Sequence, residues 1–168
     1  MALVILIGMM GSGKSTVGME LARLLEVPFL DTDRLLEHRL GRPVRQWFQI
    51  YGEDAFREHE TLMLQSLDDS AGVLATGGGI VLRQENWEAM NRLGITVFLD
   101  VEPEVLMVRL TNTKRRRPLL EVPGWEDKFH EILSARRPLY EKADYCVKVS
   151  SEDLPIVALK IKEMLVPK

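Results

Sequence analysis

Between Leu3 and Thr16 the chain reads LVILIGMMGSGKST. Within it, Gly8-Met9-Met10-Gly11-Ser12-Gly13-Lys14-Ser15 has the spacing G-x-x-x-x-G-K-[ST]. The glycines let the backbone curl so that several N–H groups point inward at one phosphate group. Lys14 supplies a point charge near the β- and γ-phosphates, and the Ser15 hydroxyl is spaced to hold Mg²⁺. A helix beginning here aims its positive end at the same anion. A plain glycine-rich turn would leave Lys14 and Ser15 without a reason. The chemistry is therefore phosphate binding, and the next question is what receives the phosphate.

Four other stretches carry chemistry. Asp31 and Asp33 stand at the end of a short apolar run. One carboxylate suits a Mg²⁺ ion, usually through its water shell, and the other suits the proton of a substrate hydroxyl. Their carboxylates are expected on opposite faces. Helix capping is the plainer role for both, but beside a phosphate loop the functional one is preferred. Arg57 and Glu60, three apart on a helix, share a face. They are either a surface ion pair or an Arg fork oriented by Glu60 toward a substrate anion. Gly77-Gly78-Gly79 directly follows a buried strand, which favours close backbone approach to a ligand over a flexible linker. Lys114-Arg115-Arg116-Arg117 is the dense basic run. In a phosphotransferase it reads as a lid whose Arg neutralises the transferring phosphoryl group, and otherwise as a solvated patch or a nucleic-acid contact. Arg136-Arg137 offers a further Arg site on which spacing alone does not decide.

These residues need elements to hold them. Strands are expected at about Leu3 to Ile7, Val27 to Leu30, Val73 to Thr76, Ile95 to Leu99 and Tyr145 to Val149. Helices are expected at Lys14 to Leu25, Arg34 to Leu40, Val44 to Tyr51, Ala55 to Leu67, Arg83 to Leu93 (closed by Gly94), Pro103 to Leu110, Trp125 to Ala143 and Leu154 to Leu165. Gly52 separates the third and fourth helices. Short apolar strands alternating with helices imply an α/β fold with a parallel sheet. The ligand then sits beyond the carboxyl ends of the strands, where the phosphate loop, Asp31 to Asp33 and Gly77 to Gly79 all fall.

Composition narrows the partners. The 168 residues suit one domain, and 22 basic against 25 acidic residues leave a formal net charge of −3. There is no general basic excess to favour nucleic acid. The lone Cys146 cannot form an internal disulfide, which fits a reducing cytosol, and it is expected as a small buried residue. Ala2 to Ile7 is too short for a membrane span and lacks the features of a signal peptide. None of the three histidines pairs at metal-ligand spacing.

Taken together, the motifs resemble those of the shikimate kinase family. The matching pieces are Gly8 to Gly18; Phe29-Leu30-Asp31-Thr32-Asp33; Phe48, Gly52-Glu53 and Phe56-Arg57 with Glu60; Thr76 to Gly79; Arg117-Pro118-Leu119-Leu120; and Arg136-Arg137-Pro138-Leu139-Tyr140. They run in the family's order over nearly the whole chain.

The resemblance implies a three-layer α/β/α P-loop kinase fold like that of nucleoside monophosphate kinases, with a five-stranded parallel sheet in order 2-3-1-4-5. It implies one domain over 1–168, with substrate-binding helices at about 32–60 and a lid at about 111–124. The implied reaction moves the γ-phosphate of ATP to the 3-hydroxyl of shikimate, in the route to chorismate and the aromatic amino acids. Gly11, Ser12, Gly13, Lys14, Ser15 and Thr16 would cradle the phosphates, with Lys14 and the lid residue Arg117 also assisting transfer. Ser15 would bind Mg²⁺ directly and Asp31 through water. Asp33 would contact the ring hydroxyls and act as base. Arg57 and Arg136 would grip the carboxylate, Gly77, Gly78 and Gly79 would line the substrate by backbone, and Phe48 and Phe56 would pack near the ring. Arg109 would stand near the adenine. The implied protein is a cytoplasmic monomer that takes small molecules and neither nucleic acid nor membrane. Asp100, which imitates a Walker B carboxylate, is given no role. The alternatives are another small P-loop kinase, for gluconate or a nucleoside monophosphate, or a nucleotide-dependent binding module.

Overall fold

A computed structural model describes residues 2–112, 121–150 and 153–165. Its parallel sheet is ordered β2-β3-β1-β4-β5. The strands are β1 (Leu3–Ile7), β2 (Phe29–Asp31), β3 (Gly72–Ala75), β4 (Gly94–Val101) and β5 (Tyr145–Val149). The helices are α1 (Lys14–Leu25), α2 (Thr32–Leu40), α3 (Val44–Ser66), α4 (Gln84–Leu93), α5 (Pro103–Asn112), α6 (Trp125–Tyr140) and α7 (Leu154–Leu165). A 3-10 turn, Ile80–Leu82, follows the glycine triplet and was not expected from the sequence.

Strands β1 and β3 are buried along their full length. Helices cover both faces there, so these strands read as unbroken apolar runs rather than alternating ones. Strand β5 differs because it lies at the sheet edge. Val147 and Val149 turn inward while Cys146 and Lys148 are exposed. This corrects the expected burial of Cys146: period-two alternation places it beside Lys148 on the outer face.

Helix α3 carries the break expected at Gly52, whose φ of 82° and ψ of 175° interrupt the helical backbone. The expected role of Gly94 changes. It is not a left-handed helix cap; its φ of 167° is extended backbone. It is the first residue of β4 and pairs with Leu3 of β1. A Cβ at this point would collide with the Leu3 carbonyl oxygen. Only glycine lets α4 run into the sheet without a connecting loop. Gly94→Ala is therefore expected to cost about 3 kcal/mol, the upper end for an overpacked site, since the obstacle is backbone of a central strand. Thermal unfolding should show a midpoint lowered by about 6–12 °C.

Candidate active site

The phosphate loop joins β1 to α1. Gly11 (φ 81°) and Gly13 (φ 90°) take backbone conformations that favour glycine. Gly13 has a second constraint: a Cβ there would press within 2.9 Å of the Leu154 side chain. The loop curls around Lys14, whose Nζ donates to Gly8 O at 2.8 Å, Met9 O at 2.9 Å and Ser12 Oγ at 3.3 Å. The ammonium is thus buried in a ring of neutral oxygens at the mouth of α1. Arg109, one turn from the end of α5, donates to Gly11 O and Ser12 O at 3.3 Å each. Burial pulls its pKa below the ordinary value.

Across the loop, Ser15 Oγ donates to Asp31 Oδ2 at 2.7 Å. The other oxygen of Asp31 caps α2, accepting from Asp33 N at 3.0 Å and Arg34 N at 3.3 Å. One oxygen of Asp31 thus caps α2, while the other is held by Ser15 beside the phosphate loop. Asp33 lies in the first turn of α2. Strand alternation would put residues two apart on one face, so the separation of Asp31 from Asp33 comes instead from the strand-to-helix switch at Thr32.

Thr32 is fully buried, and its Oγ1 accepts from Gly77 N at 2.9 Å. This bond ties the start of α2 to the glycine triplet. Thr76 anchors the same triplet to β1 through Oγ1, 2.8 Å from Leu6 O. After the triplet, Asn86 Nδ2 and Trp87 Nε1 of α4 hold the Ile80 and Val81 carbonyls at 2.8 and 3.0 Å. A loop of three glycines is thereby fixed at both ends.

Charged groups then close on each glycine. A Cβ at Gly77 would stand 3.3 Å from Asp33 Oδ1 and 3.2 Å from Glu60 Oε2. One at Gly78 would stand 3.4 Å from Arg136 Nη1, and one at Gly79 would overlap the Arg57 guanidinium. Arg57 is held by Glu60 Oε1 at 2.9 Å and Glu53 Oε1 at 3.4 Å. Its guanidinium carbon lies 5.4 Å from the Phe56 ring centre and 5.9 Å from that of Phe48, within cation–π range. The two rings pack on each other at 4.5 Å. Glu60 is fully buried, and its Oε2 has no hydrogen-bond partner among the described residues. Burial pushes its pKa up; Arg57 opposes this and the charge of Asp33 adds to it.

Arg136 and Arg137 part company. Arg137 forms a fork on Asp100, at 3.0 and 2.9 Å, and a third bond to Glu141 at 2.9 Å. Asp100 is thus occupied in anchoring α6 to the end of β4. Arg136 turns to the glycine triplet.

The result is a cleft of ≈ 240 Å³. Gly11, Gly13, Lys14, Ser15, Thr16 and Arg109 line one side, and Asp33, Gly77 and Gly78 the other. Arg57, Arg136 and the Phe48–Phe56 pair stand behind the glycines. Arg117 and the rest of the basic run lie outside the described residues. Sequence reasoning missed Thr32 as a tie to Gly77, and it missed Tyr140, whose hydroxyl donates to Gly78 O at 2.6 Å. The sequence signal for Tyr140 was its position four residues after Arg136, on the same helix face.

Comparison with known proteins agrees with this arrangement. The family model described as shikimate kinase matches residues 10–166. A shikimate kinase of Synechococcus sp. is 46% identical over 153 residues, covering 90% of this chain and 80% of the relative. One from Vibrio parahaemolyticus is 38% identical over 164 residues, covering 96% and 95%. The solved structure of a shikimate kinase from Acinetobacter baumannii in complex with shikimate superposes with a TM-score of 0.92 at 36% identity, covering 98% of this chain and 93% of that one. With the fold, the phosphate loop and these matches in agreement, the chain belongs to the shikimate kinase family.

Proposed function

We propose that the cleft transfers the γ-phosphoryl group of ATP to the 3-hydroxyl of shikimate, with the donor on the phosphate loop and the acceptor on the glycine triplet. The observation that carries this reading is the closure of Asp33, Arg136 and Arg57 on Gly77, Gly78 and Gly79 in turn. Shikimate bears one carboxylate and three hydroxyls. Two Arg forks suit the carboxylate, and a carboxylate suits the hydroxyls.

The roles follow from position. The loop N–H groups and the start of α1 bind the β-phosphate. Lys14 moves from its ring of neutral oxygens to the more negative phosphates. Asp33 accepts the hydroxyl proton as the oxygen attacks the γ-phosphorus, and the bond from that phosphorus to the β,γ-bridging oxygen breaks to release ADP. Glu60 and the two Phe rings hold Arg57 so that it meets the carboxylate already oriented. Arg117 would approach from the lid and Arg109 would flank the adenine. The Ser15–Asp31 pair fits Mg²⁺: two hard oxygens 2.7 Å apart beside the phosphate site suit an ion that keeps waters and phosphate oxygens as its other ligands. Bound there, the ion would neutralise phosphate charge. The reading extends to a single domain acting as a monomer, and to the cytosol, for which the lone Cys146 is the supporting feature.

ADP release with Mg-ATP and a panel of shikimate, gluconate, AMP and CMP tests the reading. Shikimate alone should accelerate turnover; acceleration by gluconate or a nucleotide instead would overturn it. Arg57→Ala and Arg136→Ala should each raise shikimate KM by about tenfold or more, since each removes a charged hydrogen bond. ATP KM should change little. Equal effects on both constants would make these residues structural.

A further inference from the structure

We propose that Tyr140 is a positioning residue for the acceptor, setting the orientation of the Gly78–Gly79 peptide through its hydroxyl. The proposal rests on the assignment of the glycine triplet and Arg136 to the acceptor site.

Tyr140 is fully buried in the last turn of α6. Its ring stacks on Phe98 of β4, with centres 5.2 Å apart and planes 20° apart. That stack fixes the ring, and with it the direction of the hydroxyl. The hydroxyl donates to Gly78 O at 2.6 Å and lies 3.9 Å from the sulfur of Met9. One side chain therefore touches both the glycine triplet and the phosphate loop. Arg136, one helical turn earlier, faces the phenol oxygen and favours negative charge there, against the burial that raises its pKa.

Two consequences follow. A trans peptide points its C=O and N–H in opposite directions. Drawing the Gly78 carbonyl toward Tyr140 therefore turns the Gly79 N–H away from it. Glycines have no side chain to resist a peptide flip, so this bond selects one orientation from several. The same phenol oxygen lies in the field of Arg136, whose Nη1 would stand 3.4 Å from a Cβ at Gly78, so the hydroxyl that donates to the acceptor loop sits beside the anion-gripping side chain. Packing alone would be served equally well by Phe at position 140.

Tyr140→Phe is the test, because it keeps the ring and removes only the hydroxyl. Shikimate KM should rise about tenfold, the expected size when a buried carbonyl loses its donor, with ATP KM changed less than about twofold. The melting temperature should stay within about 4 °C of the wild type. Unchanged shikimate KM, or equal rises for both substrates, would overturn the proposal. So would a Tyr140→Phe protein that does not fold, since the hydroxyl would then serve stability rather than substrate. Arg57→Ala, assayed alongside, separates the two levels. If it leaves shikimate KM alone, the acceptor-site reading fails; if it raises KM and Tyr140→Phe does not, only the role of Tyr140 fails.

Discussion

Replacing Asp33 by Asn is expected to lower kcat by about 10²–10⁴ while leaving the fold intact. The two side chains have nearly the same shape, and Asn still accepts a hydrogen bond through its oxygen. What it cannot do is take the proton of the attacking hydroxyl. Stability should change little because two small effects oppose each other. Asp33 sits in the first turn of α2, where a negative charge contributes about 0.3–1 kcal/mol against the helix dipole. The same charge faces Glu60 and helps to raise its pKa. A carboxyl whose folded pKa is raised stabilises the fold below its unfolded pKa and loses that contribution as pH rises through the folded value. At neutral pH, removing the Asp33 charge eases the cost of the Glu60 carboxylate. Steady-state kinetics with both substrates saturating, together with a melting curve, check the expectation. A loss of kcat under about tenfold would leave Asp33 a positioning role only.

Asp33 also shows where sequence reasoning reached its limit. Its type and its place after an apolar run marked it as chemical, and those are local facts. Its neighbours are not local. Gly77 and Glu60 come to it through the sheet order and the kink in α3, and no spacing rule encodes that meeting. The fold was largely legible because hydrophobic runs and glycine breaks are themselves local signals: β1, α1, β5 and α7 have the expected bounds. Gly94 was legible as an ending but not as a close approach, since the obstacle, Leu3, is on another strand. Cys146 was misplaced although its alternation with Val147 and Lys148 was in plain view; what decided its exposure is that β5 buries one face and leaves the other exposed.

The arginines divide in the same way. Spacing could not choose between Arg136 and Arg137, and one-residue rotation on α6 does: about 100° along a helix sends one to Asp100 and the other to the glycine triplet. The family resemblance assigns the carboxylate to Arg136, and Arg136 is the one that turns to the glycine triplet. The resemblance did not supply a reason for Met9 and Met10. The structure gives one for Met9, which is buried against the Tyr140 hydroxyl, and places Met10 in the cleft lining.

The remaining large effect belongs to Lys14. Lys14→Ala is expected to lower kcat by about 10²–10³, the scale on which a preorganised donor to transition-state charge acts. The ammonium is held on Gly8 O, Met9 O and Ser12 Oγ, all neutral acceptors. Such bonds are weaker than those to phosphate oxygens, so the cation can leave them for the nucleotide. As the bond to the leaving oxygen breaks, charge grows on the β-phosphate side, and a fixed cation there stabilises the transition state more than bound ATP. ATP KM should therefore rise by a smaller factor than kcat falls. Alanine also leaves the loop carbonyls without that donor, at a cost of about 1–3 kcal/mol, so the melting temperature should fall by several degrees. Assays at 25 °C keep the variant folded, and shikimate binding measured calorimetrically without nucleotide should stay near the wild-type value. A variant that lost ATP affinity but kept kcat would show that Lys14 holds the nucleotide equally in both states, and the transfer step would then depend on Arg117 and the loop N–H groups instead.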